Sequence, residues 1–276
     1  MNYAELFKKA VKENCEEIAV VDLDGRRSTT YAELDKTSGR IAAKLAANGC
    51  IAGSKAVICL GRRMEYIAAY IGVLKAGCVV VPVVPDYPLE RIEYIYSDAE
   101  AKIIIDDAFL KDLDSYTPSE PVILDDFSPC LLIYTSGSTG RPKGILHYVH
   151  ALACAAIRHQ KLFEGIDKPV MAASAAMSFI VFVFEYLAVF PLGGCVHILG
   201  DEVRKNIRET EKYYTEHNIT VGYIPPQMLK MFGGAKGVKR ILTAGERPAR
   251  IYFDDTEVYN VYGMSETLCG VCVFRL

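Results

Sequence analysis

Two spacings of apolar residues recur along the chain and predict an alternation of helices and strands. Leu6, Phe7 and Ala10 form a stripe at helical spacing, whereas the unbroken apolar run at 78–84 is typical of a strand buried on both faces. The predicted helices cover residues 3–14, 30–47, 64–76, 89–97, 150–163, 179–190, 203–217 and 226–232. The predicted strands cover residues 18–23, 26–29, 55–60, 78–84, 102–106, 121–124, 130–134, 170–173, 195–199, 220–224, 240–243 and 258–261.

This order of elements predicts the fold class. Strands that alternate with helices favour an α/β fold with mostly parallel sheets flanked by helices. The sequence shows no internal repeat, no low-complexity tract and no linker that would divide it, so we treat residues 1–276 as one domain.

Composition narrows the classes of partner. The 276 residues are 51% hydrophobic and 24% charged with a net charge of −3, as in an ordinary globular protein, and no basic block predicts binding to nucleic acid. The first residues have neither the basic nor the apolar region of a secretory signal. The longest apolar stretch, 177–192, contains Glu185 and is too short to span a membrane. We therefore expect a cytoplasmic protein with no membrane partner.

The nine cysteines are scattered, and most lie inside apolar runs. An odd number of cysteines without a signal is typical of reduced thiols in a cytoplasm. Cys269 and Cys272 have CxxC spacing, but no second pair completes a zinc set. We interpret these cysteines as structural rather than metal-binding or redox-active.

A glycine-rich segment at 134–144 carries the strongest candidate chemistry. Its glycines allow a tight turn and a close approach to a ligand, while its hydroxyls, backbone N–H groups and Lys143 could bind an anion. The competing interpretation is a solvated flexible loop. The spacing is not that of a Walker P-loop, because Gly144 follows Lys143, and this disfavours a P-loop kinase or ATPase.

The chain resembles the adenylate-forming (AMP-binding) superfamily in four segments, which occur in the order that the family has them: 74–88, 134–144, 242–246 and 259–266. The resemblance is greatest to the N-terminal core of a nonribosomal peptide synthetase adenylation domain or of a stand-alone acyl- or aryl-AMP ligase. It implies that the chain is an incomplete core domain, truncated before the β-barrel subdomain and the mobile C-terminal domain of that family.

The resemblance also implies a reaction. A carboxylic acid is activated with ATP as an acyl-adenylate, pyrophosphate is released, and the acyl group passes to the thiol of a carrier-protein phosphopantetheine or of coenzyme A. Such a reaction needs positioning and neutralisation of phosphate charge. The same resemblance assigns Lys143, Ser265 and Glu266 to catalysis, with Ser265 at the α-phosphate and Glu266 as the ligand of Mg²⁺. It assigns Tyr262 to stacking on adenine. The residues expected to bind the nucleotide are Thr135, Ser136, Gly137, Ser138, Thr139, Gly140, Lys143, Gly245, Glu246, Asn260, Tyr262, Gly263 and Ser265.

The acid-binding pocket departs from the pattern of amino-acid-activating relatives. Where those relatives carry an aspartate that pairs with the α-ammonium, this sequence has Ile180. Burying an ammonium against isoleucine without a counter-charge costs several kcal/mol. We therefore expect an acid without a free α-amine, such as an aryl, hydroxy, keto or fatty acid. The alternatives are a one-residue misalignment or an amine met from elsewhere. The expected pocket residues are Ile180, Val181, Phe184, Tyr223, Leu242, Ala244, Val261 and Cys269.

The chain stops soon after the last motif, before the ribose-binding aspartate and the catalytic lysine that the resemblance implies. It is expected to be either part of a longer enzyme or a naturally short chain, poorly active alone. The alternative to an enzyme is a non-catalytic ATP-binding or interaction fragment of the same fold.

Overall fold

The computed structural model describes residues 2–136, 141–246, 252–268 and 270–276. The helices are α1 Tyr3–Asn14, α2 Tyr31–Ala47, α3 Met64–Lys75, α4 Leu89–Asp98, α5 Val149–Gln160, α6 Ile180–Leu187, α7 Asp201–Arg204, α8 Ile207–Glu216 and α9 Pro226–Leu229. The strands are β1 Ile18–Asp22, β2 Arg27–Thr30, β3 Lys55–Cys59, β4 Val79–Val83, β5 Ile103–Ile105, β6 Pro129–Ser136, β7 Pro142–Tyr148, β8 Val170–Ala173, β9 Cys195–Ile198, β10 Val221–Tyr223, β11 Arg240–Ala244, β12 Glu257–Tyr262 and β13 Cys272–Arg275.

The chain divides into two compact units. The first unit comprises residues 1–16, 30–154 and 177–179, and the second comprises 17–29, 155–176 and 180–276. That residues 1–276 act as one domain, incomplete at its C-terminal side, stays a prediction.

The first unit is built on a five-stranded sheet in the order β5-β3-β4-β6-β7. All neighbouring pairs are parallel except β6 and β7, which form an antiparallel hairpin. Valines of β3 and β4 pack with Leu132 and Tyr134 of β6 and with Ile95 of α4 in a buried cluster. The buried valines explain why the run at 78–84 reads as a central strand.

The sequence explains where helix α2 begins and why helix α3 packs closely against it. At the start of α2, Thr30 Oγ1 accepts a hydrogen bond of 3.2 Å from the backbone N–H of Glu33, and the Glu33 carboxylate accepts one of 2.9 Å from Thr30 N–H. Within α3, Gly72 allows close packing, because a Cβ there would lie 2.8 Å from Cβ of Ile41 and from the carbonyl oxygen of Ser38. These contacts fix the seam between α2 and α3.

The second unit is built on an eight-stranded sheet in the order β13-β12-β11-β10-β8-β9-β1-β2. The pairs β1–β9, β8–β9, β8–β10, β10–β11 and β11–β12 are parallel, and β13 runs antiparallel beside β12. One core of this unit packs Tyr213 and Tyr214 of α8 against Ile241 of β11 and Val258 of β12.

The predicted α/β class with mostly parallel sheets flanked by helices is confirmed, and two predicted elements are wrong. Residues 121–124 form no strand: Val122 N–H bonds the carbonyl of Lys75, but Ile123 is 90% exposed and the segment joins no sheet. The helix predicted over 203–217 is two helices, α7 and α8, because the Asn206 side chain accepts from Arg208 N–H and starts α8 anew.

Across the ranges that the structure describes, no helix has both the length and the apolar character needed to cross a bilayer.

Candidate active site

The described residues of the glycine-rich segment lie at the paired ends of strands β6 and β7 in the first unit. Thr135 pairs with Lys143 and Ser136 with Pro142 across the hairpin. Lys143 is exposed and Thr135 is half-buried. Four of the predicted phosphate-binding residues, Gly137, Ser138, Thr139 and Gly140, lie outside the described residues, as does the side chain of Ser136. The hairpin therefore brings the hydroxyl end of β6 and the lysine of β7 to the same end of the sheet.

The sequence around the hairpin explains its geometry. Gly144 lies opposite Tyr134, and a Cβ on Gly144 would lie 3.0 Å from Leu132 and 3.2 Å from the Tyr134 ring. The Tyr134 hydroxyl donates a hydrogen bond of 2.7 Å to the Asp98 carboxylate at the end of α4. Burial, together with this bond, raises the pKa of Tyr134 above its ordinary value, so the hydroxyl stays a donor. Glycine at 144 thus leaves room for the tyrosine that ties the turn end of the hairpin to α4.

In the second unit, the predicted adenine residues lie at one edge of the sheet. Strands β11 and β12 are parallel with Ala244 opposite Val261, so the residues that follow both strands meet at the carboxyl edge. Gly245 has φ +97°, a backbone conformation that favours glycine, and Glu246 after it is exposed. The Gln227 amide of α9 donates a hydrogen bond of 2.7 Å to the Glu246 carboxylate.

The segment after β12 presents the remaining predicted nucleotide residues. Tyr262, the last residue of β12, is 60% exposed, so its ring is open to a stacking partner. Gly263 and Glu266 are exposed, Asn260 is half-buried, and Ser265 is buried in a single 3-10 turn, Ser265–Thr267. In the described part of the chain, neither Glu266 nor Lys143 forms a salt bridge within the protein.

The same edge of the second unit contains a pocket of about 410 Å³, counting solvent at its mouth. Ile180 is buried at the start of α6 but is not among the described residues that line the pocket, and Cys269 lies outside the described residues. The predicted acid-pocket residues that line it are Val181, Phe184, Tyr223, Leu242, Ala244 and Val261.

Half of the pocket lining was not predicted. The signals for it were weak, because a single histidine or glutamate within apolar helices is more often a satisfied core residue than a ligand contact. His159 lies near the end of α5 and Glu185 in the middle of α6. The unpredicted lining residues are His159, Leu162, Phe163, Met171, Glu185 and Thr243.

Glu185 is the buried carboxylate of the pocket wall. One of its oxygens accepts hydrogen bonds of 3.0 Å from Ser174 N–H and 3.1 Å from Ala175 N–H, and the other accepts one of 3.3 Å from Ala175 N–H. The Ser174 hydroxyl in turn donates to the carbonyl of Tyr223 at 2.6 Å. These bonds offset the cost of burying the charge and tie α6 to the ends of β8 and β10.

The described cysteines form no disulfide bond. Burial raises the pKa of the Cys130 and Cys195 thiols to about 12, which keeps both protonated. Among the described residues, no three His, Cys, Asp or Glu side chains gather into a metal site. The structural interpretation of Cys269 and Cys272 stays a prediction.

Comparison with known proteins identifies the family. The sequence profile of the AMP-binding enzyme family matches residues 7–122 and 106–276. The chain belongs to the AMP-binding enzyme family. Bacitracin synthase 1 from Bacillus licheniformis is 29% identical over 281 residues, which cover 95% of this chain and 5% of that protein. The resemblance to nonribosomal peptide synthetase adenylation domains is therefore confirmed, and this relationship supports a ligase-type enzyme.

Solved structures share the fold of this AMP-binding chain. The N-terminal subdomain of NpsA from Klebsiella oxytoca, in complex with 3-hydroxyanthranilyl-AMSN, matches with a TM-score of 0.86 at 19% identity, covering all of this chain and 75% of that one. An artificially fused adenylation–PCP di-domain, NpsA-ThdA from Klebsiella oxytoca, matches with a TM-score of 0.87 at 19% identity, covering all of this chain and 60% of that one. The chain spans only 5% of the length of bacitracin synthase 1, so it corresponds to a small part of that relative.

Proposed function

We propose that this chain activates a carboxylic acid with ATP as an acyl-adenylate. A carboxylate oxygen of the acid bonds to the α-phosphorus, and the bond to pyrophosphate breaks. A thiol, that of a carrier-protein phosphopantetheine or of coenzyme A, then takes the acyl group as AMP leaves. The observation that carries the proposal is the edge of the second unit, where Tyr262, Glu246 and a pocket for a small ligand occur together.

The described nucleotide-side residues fit their proposed roles. Tyr262 offers an open ring for adenine, because the residue is 60% exposed. The exposed Lys143 can neutralise phosphate charge, because it forms no salt bridge within the described part of the chain. Ser265 has a hydroxyl suited to a phosphate oxygen. Glu266 supplies the single carboxylate that Mg²⁺ needs when phosphates complete its ligands. Bound there, Mg²⁺ would neutralise charge on the phosphates.

The pocket supports an acid without a free α-amine. Its six predicted lining residues carry no charge, and Ile180 lies at the start of the same helix, α6. An acyl-AMP analogue with an aromatic acid is bound by the structural neighbour NpsA, which agrees with an aryl acid as one member of the proposed class.

An amine-bearing acid is the second candidate, and Glu185 favours it. This buried carboxylate lines the pocket, so its negative charge could pair with an ammonium.

An ATP–pyrophosphate exchange panel of aryl, hydroxy, keto, fatty and α-amino acids tests the proposal. It should be run on residues 1–276 and on any longer protein that contains them. We expect exchange with an acid that lacks an α-amine. Exchange with α-amino acids alone would establish the Glu185 alternative. No exchange with any acid, together with calorimetric binding of Mg·ATP, would instead support a non-catalytic nucleotide-binding fragment.

A further inference from the structure

His159 is a polar residue among the mostly apolar residues that line the acid pocket. Its ring is 6% exposed and lines the pocket from the last turn of α5. It stacks on the pocket residue Phe184, with ring centroids 4.3 Å apart and planes 18° from parallel. The stacking holds the ring in one plane, so its two nitrogens have fixed directions.

The hydrogen bonds of His159 define which nitrogen is the acceptor. Nδ1 lies 2.7 Å from the carbonyl oxygen of Ala155, and because that oxygen can only accept, Nδ1 carries the proton. Burial lowers the pKa of His159 to about 4, so the ring is neutral at pH 7. Nε2 therefore carries no proton, and its lone pair can accept a hydrogen bond. It has no hydrogen-bond partner among the described residues.

Two further contacts show where Nε2 points. A Cβ built on Gly270 would lie 3.0 Å from Nε2 and 2.8 Å from Cγ1 of the pocket residue Val261. Nε2 thus lies beside Val261, a residue that lines the pocket, and close to the backbone of Gly270.

The control comes from the core of the same unit. Alternation along β11 puts Leu242 and Ala244 on the face toward the pocket and Ile241 in the core. Tyr214 of α8 packs in that core with Ile241 and does not line the pocket. Its buried hydroxyl has no hydrogen-bond partner among the described residues, so Tyr214 provides a matched control.

From this geometry we infer that His159 is a specificity-determining residue whose Nε2 accepts a hydrogen bond from a hydroxyl on the body of the substrate acid. The inference rests on the proposed acid activation and narrows its substrate class to hydroxyl-bearing acids. A keto oxygen or a plain hydrocarbon chain supplies no donor. An ammonium would supply one, but the neutral imidazole gives it no counter-charge. An unpaired buried acceptor is costly, so a hydroxyl that reaches it gains selectivity.

The test compares acyl-sulfamoyl adenosine analogues of the acyl-adenylate by calorimetry on the chain. The probes are the benzoyl, 3-hydroxybenzoyl, 4-hydroxybenzoyl, 3-methoxybenzoyl and 4-methoxybenzoyl compounds, with hexanoyl and 6-hydroxyhexanoyl as an aliphatic pair. For at least one pair we expect the hydroxyl compound to bind about 10-fold more tightly than its parent. The methoxy compounds should bind no more tightly than their parent, because they keep the oxygen but have no hydrogen-bond donor.

The variant His159→Phe, which keeps the stacked ring, should abolish the preference while still binding the parent compounds. Tyr214→Phe, which removes a buried hydroxyl outside the pocket, should leave the preference unchanged. Equal binding of every hydroxyl compound and its parent, or a preference that survives His159→Phe, would overturn the role of His159 and leave the proposed adenylation intact. Failure of every analogue to bind would overturn the proposed function and, with it, this inference.

Discussion

Lys143 and Glu266 are exposed charged side chains that form no salt bridge within the described residues. Because solvent already surrounds both, replacing either costs the fold little, and any loss reports on a ligand. This separation of ligand binding from folding makes them suitable for testing the nucleotide site.

We predict that Lys143→Met weakens binding of Mg·ATP by about 10-fold or more, because a charged hydrogen bond to phosphate contributes about 1.5–3 kcal/mol. Calorimetric titration measures the change, and urea unfolding should show unchanged stability. Lys36→Met, which removes another exposed lysine of the first unit, should leave ATP binding unaltered. If the two variants bind ATP equally well, Lys143 has no role at the phosphates.

At this scale the sequence predicted only part of the pocket. Residues such as Leu242 and Val261 follow from the family motifs, and the structure brings six of the eight predicted positions around one cavity. His159 and Glu185 could not be predicted, because their roles depend on partners distant in sequence. The Glu185 carboxylate, for example, is held by backbone groups ten and eleven residues away.

At the scale of elements, the seam between α2 and α3 depends on Gly72. Helix propensity alone favours alanine over glycine inside a helix by about 1 kcal/mol. A Cβ at Gly72 would, however, lie 2.8 Å from the Ser38 carbonyl oxygen, which is backbone and cannot rotate away. Overpacking of this kind costs about 1–3 kcal/mol, so the clash should outweigh the propensity.

We therefore predict that Gly72→Ala lowers the free energy of unfolding by up to about 2 kcal/mol, measured by urea denaturation. Gly61→Ala is the matched control, since a Cβ there would contact nothing within 4 Å and its φ is not positive. A Gly72→Ala protein as stable as this control would mean that the two helices can separate freely.

Elements with a strong repeating pattern were predictable, and those that depend on pairing were not. The stripe of α1 and the valines of β4 specify their elements locally. Strand β7 contains Pro142 and Gly144, residues that disfavour strands, and exists because it pairs with β6 over its length. Residues 121–124 show the reverse. They are apolar enough for a strand, but they pair with no strand of either sheet in the described part of the chain.

At the scale of the whole molecule, buried histidines link stability to pH. Burial lowers the pKa of His159 and of His197 to about 4, and for His197 the nearby His217 adds to the effect. An unfolded histidine binds its proton near pH ~6.5. The unfolded chain therefore takes up protons between pH ~6.5 and about 4 that the folded chain does not, so stability falls as pH falls through this window.

We predict a loss of up to about 3 kcal/mol per histidine across that window, a large part of the stability of a typical domain. Urea unfolding at a series of pH values measures it, and His159→Phe should flatten the slope. Asp201 does not confound the measurement: its lysine and arginine partners lower its pKa to about 2, so its stabilisation is lost only below the window. A stability that stays constant from pH ~6.5 to about 4 would contradict the prediction.

The alternation along β11 has a consequence for how such a molecule can diversify. Leu242 and Ala244 face the pocket, while Ile241, next to them, is locked into the core. On the proposed function, substitution of Leu242 or Ala244 would change the acid that the pocket accepts, while the packing that preserves the fold is left in place. Divergent substrate ranges on one inherited scaffold are the expected outcome of that arrangement.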